Sequence, residues 1–251
     1  MPDASVAYTF VCCGYNCSQW VSHSLSSMLS QEYSNFKIIC IDANSDDGTY
    51  EILKTYQNNF SDKIIVHQNK ERKYQVENTK LGISLSDPNS VIVTVDLDDW
   101  LPNKNVLTTL NSFYSNPEIW LTYGTYCHHP YQDVSHLYYE YPEDVKINGS
   151  FKQYPRWLAS HLRTFRAKLF LSIPEDILKN DSNEYFDMAG DCAFMYPMLE
   201  MARERSRYIS SILYVYNRTN SLSEDRINIK KQELLAAQIK EKRILDRLVS
   251  L

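Results

Sequence analysis

Val91-Ile92-Val93-Thr94-Val95-Asp96-Leu97-Asp98-Asp99-Trp100 is the stretch that decides how this chain is organised. Its first five residues are mostly β-branched, without polar alternation, and they run into three carboxylates within four positions. Such a run predicts a strand buried on both faces, as in a parallel sheet. Its carboxyl end then opens where α/β sheets bind ligands. Three acids at that end repel one another and lose hydration, a cost that a cation among them relieves. Mg²⁺ and Mn²⁺ are hard cations that take carboxylate oxygens and share substrate phosphates. The competing reading is an acidic turn in which Asp99 caps a helix started by Pro102.

Upstream, the chain alternates. Residues 5–13 read as a first buried strand ending at the turn Gly14-Tyr15-Asn16, and 18–31 as a helix with Ser18 as N-cap. Residues 36–42 form a second strand, the turn cluster 44–49 opens a helix over 48–59, 63–67 a short third strand, and 75–86 a third helix. This β-α-β-α-β-α-β order predicts a parallel sheet with helices on both faces. The ends at Gly14–Asn16, Asp42–Asn44 and Asp96–Asp99 then share one edge. Neither G-x-G-x-x-G nor G-x-x-x-x-G-K-[ST] occurs, so the dinucleotide fingerprint and the P-loop are missing.

Downstream the pattern loosens. Residues 103–115 read as a helix and 120–126 as a strand. An aromatic, irregular loop follows, with His128, His129, Tyr131, His136, Tyr138, Tyr139 and Tyr141. Residues 157–170 form a strand or turn leading into a helix. Asp191 opens an apolar helix after Gly190, 208–216 form a late strand, and 229–250 a charged amphipathic helix with Leu234, Leu235, Ile239, Ile244, Leu245 and Leu248 as its stripe. That stripe can close the domain or pair two copies as a homodimer. The expected layout is one domain over 1–221 with a helical appendage over 222–251.

The bulk numbers bound the function. The 251 residues suffice for a sizeable core, and a net charge of −5 disfavours nucleic acid as a partner. None of the six cysteines forms a CxxC pair, which disfavours a zinc site of the usual spacing. Without a signal peptide or a transmembrane segment, the chain is expected to be soluble and cytoplasmic, with reduced thiols.

In this order the motifs resemble the family 2 glycosyltransferases of the GT-A fold. Thr9-Phe10-Val11-Cys12-Cys13-Gly14-Tyr15-Asn16 is similar to the family's opening block, and Asp42-Ala43-Asn44-Ser45-Asp46-Asp47-Gly48-Thr49 to its D-D-x-S-x-D-G-T block. Asp96-Leu97-Asp98-Asp99 resembles its D-x-D, and Gly190-Asp191 stands where it carries a catalytic base. The resemblance covers residues 4–125 well and 155–218 more loosely. It implies a UDP-sugar donor, with Asp42 and the Gly14, Tyr15, Asn16 turn on the base, Asp96 near the ribose, and Asp98 with Asp99 on a Mn²⁺ or Mg²⁺ ion bridging the diphosphate. Asn78 matches an Asn common in the helix before the D-x-D. Ala43 departs from the pattern, leaving the base contact to Asp42 or Asn44.

The chemistry implied is transfer of a sugar to a hydroxyl on a glycan or glycoprotein acceptor. A metal improves the leaving diphosphate, and one carboxylate activates the acceptor hydroxyl. Asp191 is the candidate base, at a helix N-terminus after a glycine; a plain N-cap is its competing reading, and Asp187 the reserve. His161 and Arg163 flank Leu162, so an extended segment points both the same way, toward diphosphate or acceptor. Arg72, Lys73 and Lys80 read equally as diphosphate contacts or a solvated face. A sugar nucleotidyltransferase is disfavoured by Gly14-Tyr15-Asn16-Cys17-Ser18, which lacks a Gly- and cation-rich loop. A non-catalytic nucleotide-sugar or glycan-binding module is the alternative; Ala43 favours it slightly, and Asp98 and Asp191 oppose it.

Overall fold

The computed structural model describes residues 5–134, 138–222 and 228–251. The amino-terminal half alternates as expected: β1 (Tyr8–Gly14), α1 (Ser18–Leu29), β2 (Phe36–Asp42), α2 (Thr49–Asn59), β3 (Ile64–Gln68), α3 (Gln75–Ser84) and β4 (Val91–Asp96). There follow α4 (Val106–Tyr114), β5 (Leu121–His129), α5 (Glu143–Asn148), β6 (Ser160–Arg166), α6 (Ala167–Leu171), α7 (Gly190–Ala202), β7 (Ser206–Asn217) and α8 (Ile229–Glu241).

The strands form one seven-stranded sheet in the order β3-β2-β1-β4-β6-β5-β7. β1 pairs parallel with β2 and β4, β2 with β3, and β5 with β7. β6 alone runs against the rest, antiparallel to both β4 and β5. The sheet is therefore mixed but mostly parallel. Successive side chains on a strand face opposite sides. Phe10 and Cys12 of β1 join Val21, Leu25 and Met28 of α1 and Leu107 and Leu110 of α4 on one face. Val11 joins Val76 of α3 and Phe194, Met198 and Leu199 of α7 on the other. Each such side chain contributes about 1.5–3 kcal/mol by leaving water.

Several local expectations are corrected. Ser18 is the first helical residue rather than the cap; its N–H is satisfied from another loop, by Asp47 Oδ2 at 2.9 Å. Asp99 caps no helix, because α4 begins only at Val106, after an Asx turn in which Asn105 N donates to Asn103 Oδ1 at 2.9 Å. The aromatic segment is less irregular than its composition suggests, since β5 continues to His129 and α5 follows; His136 lies outside the described residues.

The terminal helix stops at Glu241 instead of continuing to residue 250. The cause is buried Lys152, whose ammonium donates to the carbonyls of Lys242 and Arg243, both at 3.1 Å, and pairs with Glu200 of α7 at 3.0 Å. Carbonyls turned toward that ammonium do not continue a helical ladder. Leu235, Ile239 and Leu245 then bury in the same cluster as α7, so half of the stripe closes this chain's own core, while Leu234 and Ile244 remain exposed. No helix among the described residues is long and apolar enough to cross a membrane.

Candidate active site

Register brings the motifs together. Gly14 lies opposite Asp42, and Cys13 opposite both Ile41 and Asp96, so three strand ends share one edge. A Cβ on Gly14 would lie 2.7 Å from Leu97 Cβ and 2.8 Å from Cys17 Sγ, so only glycine lets the strand ends close up. A cleft of about 230 Å³ opens there. Gly14, Tyr15, Asn78, Asp96, Asp98, Asp99, Arg163 and Asp191 of the predicted set line it; Asn16, Asp42 and Asn44 do not.

The three acids after β4 separate by environment. Asp99 is 2% exposed, and both its oxygens are engaged, Oδ2 by the Tyr214 hydroxyl at 2.6 Å and Oδ1 by the Asn217 N–H at 2.7 Å. That differs from the expected sharing of Asp99 between metal and helix cap: its oxygens fasten the end of β7. Burial, then the charges of Asp98 and Asp96, push its carboxyl well above the usual range. Asp98 Oδ2 accepts from Asn220 Nδ2 at 2.7 Å, and its main-chain carbonyl accepts from Asn217 Nδ2 at 3.0 Å. Burial raises Asp98 as well. Asp96 is pushed up to about 7, first by burial and then by the charge of Asp98, with Arg163 opposing. Such a crowd of carboxyls in a poorly hydrated cleft is a shape of charge that a cation or a proton must relieve.

Across the cleft, Arg163 Nη2 meets Asp191 Oδ2 at 2.5 Å. Nε of Arg163 donates to the Ala159 carbonyl at 3.1 Å, and Nη1 lies 3.3 Å from His161 Nδ1, so the guanidinium is held on three sides. Burial works against its charge, but Asp191 and Asp96 outweigh it and raise its pKa. Burial, then Arg163, pushes His161 well below the usual imidazole range, so the ring is neutral. His161 and Arg163 therefore do face the same cleft. The Asp191 carboxylate also receives its neighbour's N–H, Cys192 N to Oδ1 at 2.9 Å. Gly190 admits this placement: a Cβ there would lie 2.7 Å from Gln75 Oε1 and 3.0 Å from Gln75 Cβ. Asp187 is not among the cleft walls and pairs with Lys231 of α8.

At the other end, Asp42 is fully buried. Its Oδ2 accepts from Ser45 N at 3.1 Å and Gln68 Nε2 at 3.2 Å, while among the described residues its Oδ1 has no hydrogen-bond partner. Asn16 ties the two turns together, its Nδ2 donating to Asp46 Oδ1 at 2.8 Å and its N–H to Ser45 Oγ at 2.9 Å. Asn44 is exposed, with φ at +70°. Asn78 Nδ2 holds the Lys73 carbonyl at 3.0 Å, fixing the loop before α3. In that loop the Arg72 guanidinium lies 3.8 Å from the Tyr15 ring centroid, and both residues line the cleft, as does Ala43. Lys73 lines it too and pairs with Glu77 at 3.2 Å; Lys80 points away, to Glu175 and Tyr185.

Tyr214, Asn217 and Asn220 were not legible as site residues. They lie more than a hundred positions after the aspartates they hold, and the sole signal was a polar turn, Asn217-Arg218-Thr219-Asn220, directly after a strand.

The Glycosyl transferase family 2 model matches residues 9–172. The chain belongs to that family. Over 59 residues it is 44% identical to Putative glycosyltransferase EpsE of Bacillus subtilis (strain 168), a match covering 24% of this chain and 21% of that relative. The family fold recurs in S. aureus TarS 1–349, with a TM-score of 0.65 at 17% identity over 84% of this chain and 60% of that one. TarS 1–349 in complex with UDP-GlcNAc gives a TM-score of 0.66 at 17% identity, covering 96% and 68%. The mannosyltransferase PcManGT of Pyrobaculum calidifontis, in complex with GDP-Man and Mn²⁺, gives 0.62 at 12% identity, covering 96% and 66%. The chain thus spans only part of the length of these relatives.

Proposed function

We propose that this chain is a metal-dependent, inverting glycosyltransferase that moves a sugar from a UDP-sugar to a hydroxyl of a glycan or glycoprotein. The observation that carries this reading is the convergence of Asp96, Asp98 and Asp191 on one cleft, with Arg163 offsetting their charge at close range. Among the described residues no three His, Cys, Asp or Glu side chains make a complete metal-binding group. A D-x-D carboxylate together with diphosphate oxygens fits a Mn²⁺ or Mg²⁺ ion better than an all-protein cage does. The raised Asp96 and Asp98 carboxyls are what a cation at this place would relieve. Asp98 would hold it, with Asp96 toward the ribose and Asp99 as the anchor that orients both. Bound there, the ion would neutralise charge building on the departing diphosphate.

The protein's own residues supply the rest. Asp42 is buried outside the cleft lining and holds the Ser45 turn behind it. Tyr15 and Arg72, which line the cleft, provide a flat, stacked surface for the base. Arg163 keeps Asp191 aligned. The acceptor hydroxyl oxygen forms a bond to the anomeric carbon from the face opposite the diphosphate, the carbon–oxygen bond to the diphosphate breaks, and the hydroxyl proton passes to the Asp191 carboxylate. One displacement with one base inverts the anomeric centre. Nucleotide diphosphate release from a panel of UDP-sugars, with and without Mn²⁺, tests the reading; no thermal stabilisation by UDP plus Mn²⁺, and no release, would overturn it.

A further inference from the structure

Two sets of contacts meet at His161. On one side its ring is stacked on that of Tyr214, with centroids 4.3 Å apart and planes 17° from parallel. The Tyr214 hydroxyl donates to Asp99 Oδ2 at 2.6 Å and accepts the Asp96 N–H at 3.3 Å, so the stack rests on the acid turn itself. On the other side His161 Nδ1 lies 3.3 Å from Arg163 Nη1, and Nη2 of the same guanidinium meets Asp191. An unbroken line of contacts, from Asp99 through Tyr214, His161 and Arg163 to Asp191, joins the end of β4 to the start of α7.

What His161 offers to that line follows from its neighbour. A guanidinium only donates, so Nδ1 presents its lone pair to Arg163 and the ring proton sits on Nε2. The lone pair lies in the ring plane, and stacking on Tyr214 fixes that plane. The Ala159 carbonyl accepts from Arg163 Nε at 3.1 Å. Arg163 is thus held on two sides by uncharged acceptors. A carboxylate in either place would compete for the cation, whereas an uncharged atom fixes its position and leaves Asp191 as its sole hydrogen-bonded counter-ion among the described residues. His161 and Arg163 are both buried, so water does not readily replace either contact.

We propose that His161 is a positioning residue: its Nδ1 lone pair, aimed by the stack on Tyr214, holds Arg163 so that Asp191 keeps one orientation while the acceptor's proton moves to it. The proposal rests on the glycosyl-transfer reading and adds to it a residue that acts through Arg163. On it, the pair His161 and Arg163 serves Asp191, and not the diphosphate or the acceptor. Removing Nδ1 then costs turnover and not donor affinity, because Tyr15 and Arg72 hold the donor from another wall.

NMR on the whole chain, labelled with ¹⁵N in histidine and arginine, tests this without any substrate. The expected spectrum shows His161 protonated at Nε2 and bare at Nδ1, with a slowly exchanging Arg163 Nε–H. His161→Phe keeps a ring on Tyr214 but has no lone pair, and should speed that exchange about tenfold, the effect of losing one hydrogen bond to a charged group. His161→Asn puts Oδ1 near the place of Nδ1 and should restore the wild-type rate, even where the phenylalanine variant folds poorly. Turnover is read as UDP release from UDP-glucose, UDP-galactose and UDP-GlcNAc with Mn²⁺. In His161→Phe kcat should fall about 10–100-fold with KM within about twofold, and His161→Asn should recover most of kcat. A proton on Nδ1, an Arg163 exchange rate indifferent to His161→Phe, or a loss confined to KM overturns the proposal. No UDP release from the wild type would fault the transfer reading, and the exchange rates would still judge the hold on Arg163.

Discussion

Arg163 Nη2 and Asp191 Oδ2 meet at 2.5 Å across the cleft, and the arginine has no slack with which to leave. The pair makes Asp191 an oriented carboxylate rather than a solvated helix cap. Replacing Asp191 with Asn keeps the hydrogen-bonding shape and removes the proton acceptor. Turnover should fall by about 10²–10⁴-fold with UDP affinity nearly unchanged. Parallel measurement of kcat and of UDP binding by calorimetry checks it; turnover within a few-fold of wild type would remove Asp191 from its role.

Asp96 supplies a pH prediction. Its carboxyl sits at about 7 in the folded chain against 3.8 unfolded. The folded state therefore holds its proton more tightly than the unfolded state does. This group's contribution to stability is greatest in acid, declines as pH rises from about 4 to about 7, and is constant above. Thermal melts without metal should show that decline, and Asp96→Asn should flatten it. The same variant is expected to be more stable than wild type at pH 8 and weaker for UDP and Mn²⁺. A steeper decline in the variant would contradict the assignment.

Tyr214→Phe deletes one hydroxyl and leaves a buried Asp99 oxygen unpaired. A loss of about 1–3 kcal/mol in urea unfolding is expected. Because Asp99 adjoins Asp98, half-saturation by Mn²⁺ should also shift upward, which an ordinary core tyrosine would not cause.

Gly190→Ala forces a methyl against Gln75 and Val76 of α3, where contacts would fall to 2.7–3.2 Å. The first turn of α7 must then move off α3. Urea melts should report about 1–3 kcal/mol of destabilisation, and turnover should fall further than donor affinity, since Asp191 is the next residue.

Glu200→Ala strands Lys152 in the core without its counter-ion and releases the Leu245 N–H, which donates to Glu200 at 2.9 Å. A cost of about 3–5 kcal/mol is expected. Limited proteolysis should then cut within residues 242–251 sooner than in the wild type.

The fold was legible where local chemistry agrees with tertiary structure. The apolar runs 36–42 and 91–96 are strands because both faces are covered, and a run without alternation says so directly. The cleft was legible as far as strand ends could be aligned, which brings Gly14 and Asp96 to one edge. Asp99 misled, because a carboxylate beside a metal-type motif looks the same in sequence whether its oxygens face an ion or a tyrosine. The tail misled because helical periodicity continues past Glu241, whereas the ammonium of Lys152, about ninety residues earlier in the chain, captures the next carbonyls. Asn16, placed on the donor, instead joins two turns, and neighbours in space with no neighbourhood in sequence leave no pattern to read.

The grip of Tyr214 and Asn217 on Asp99 also sets a schedule. As the chain leaves the ribosome, the D-x-D residues emerge well over a hundred residues before the strand that orders them. A nascent chain halted after β6 carries every aspartate of the motif and still lacks the anchor that aims them. Competence for donor and metal should therefore switch on late in synthesis, in one step, as β7 docks beside β5.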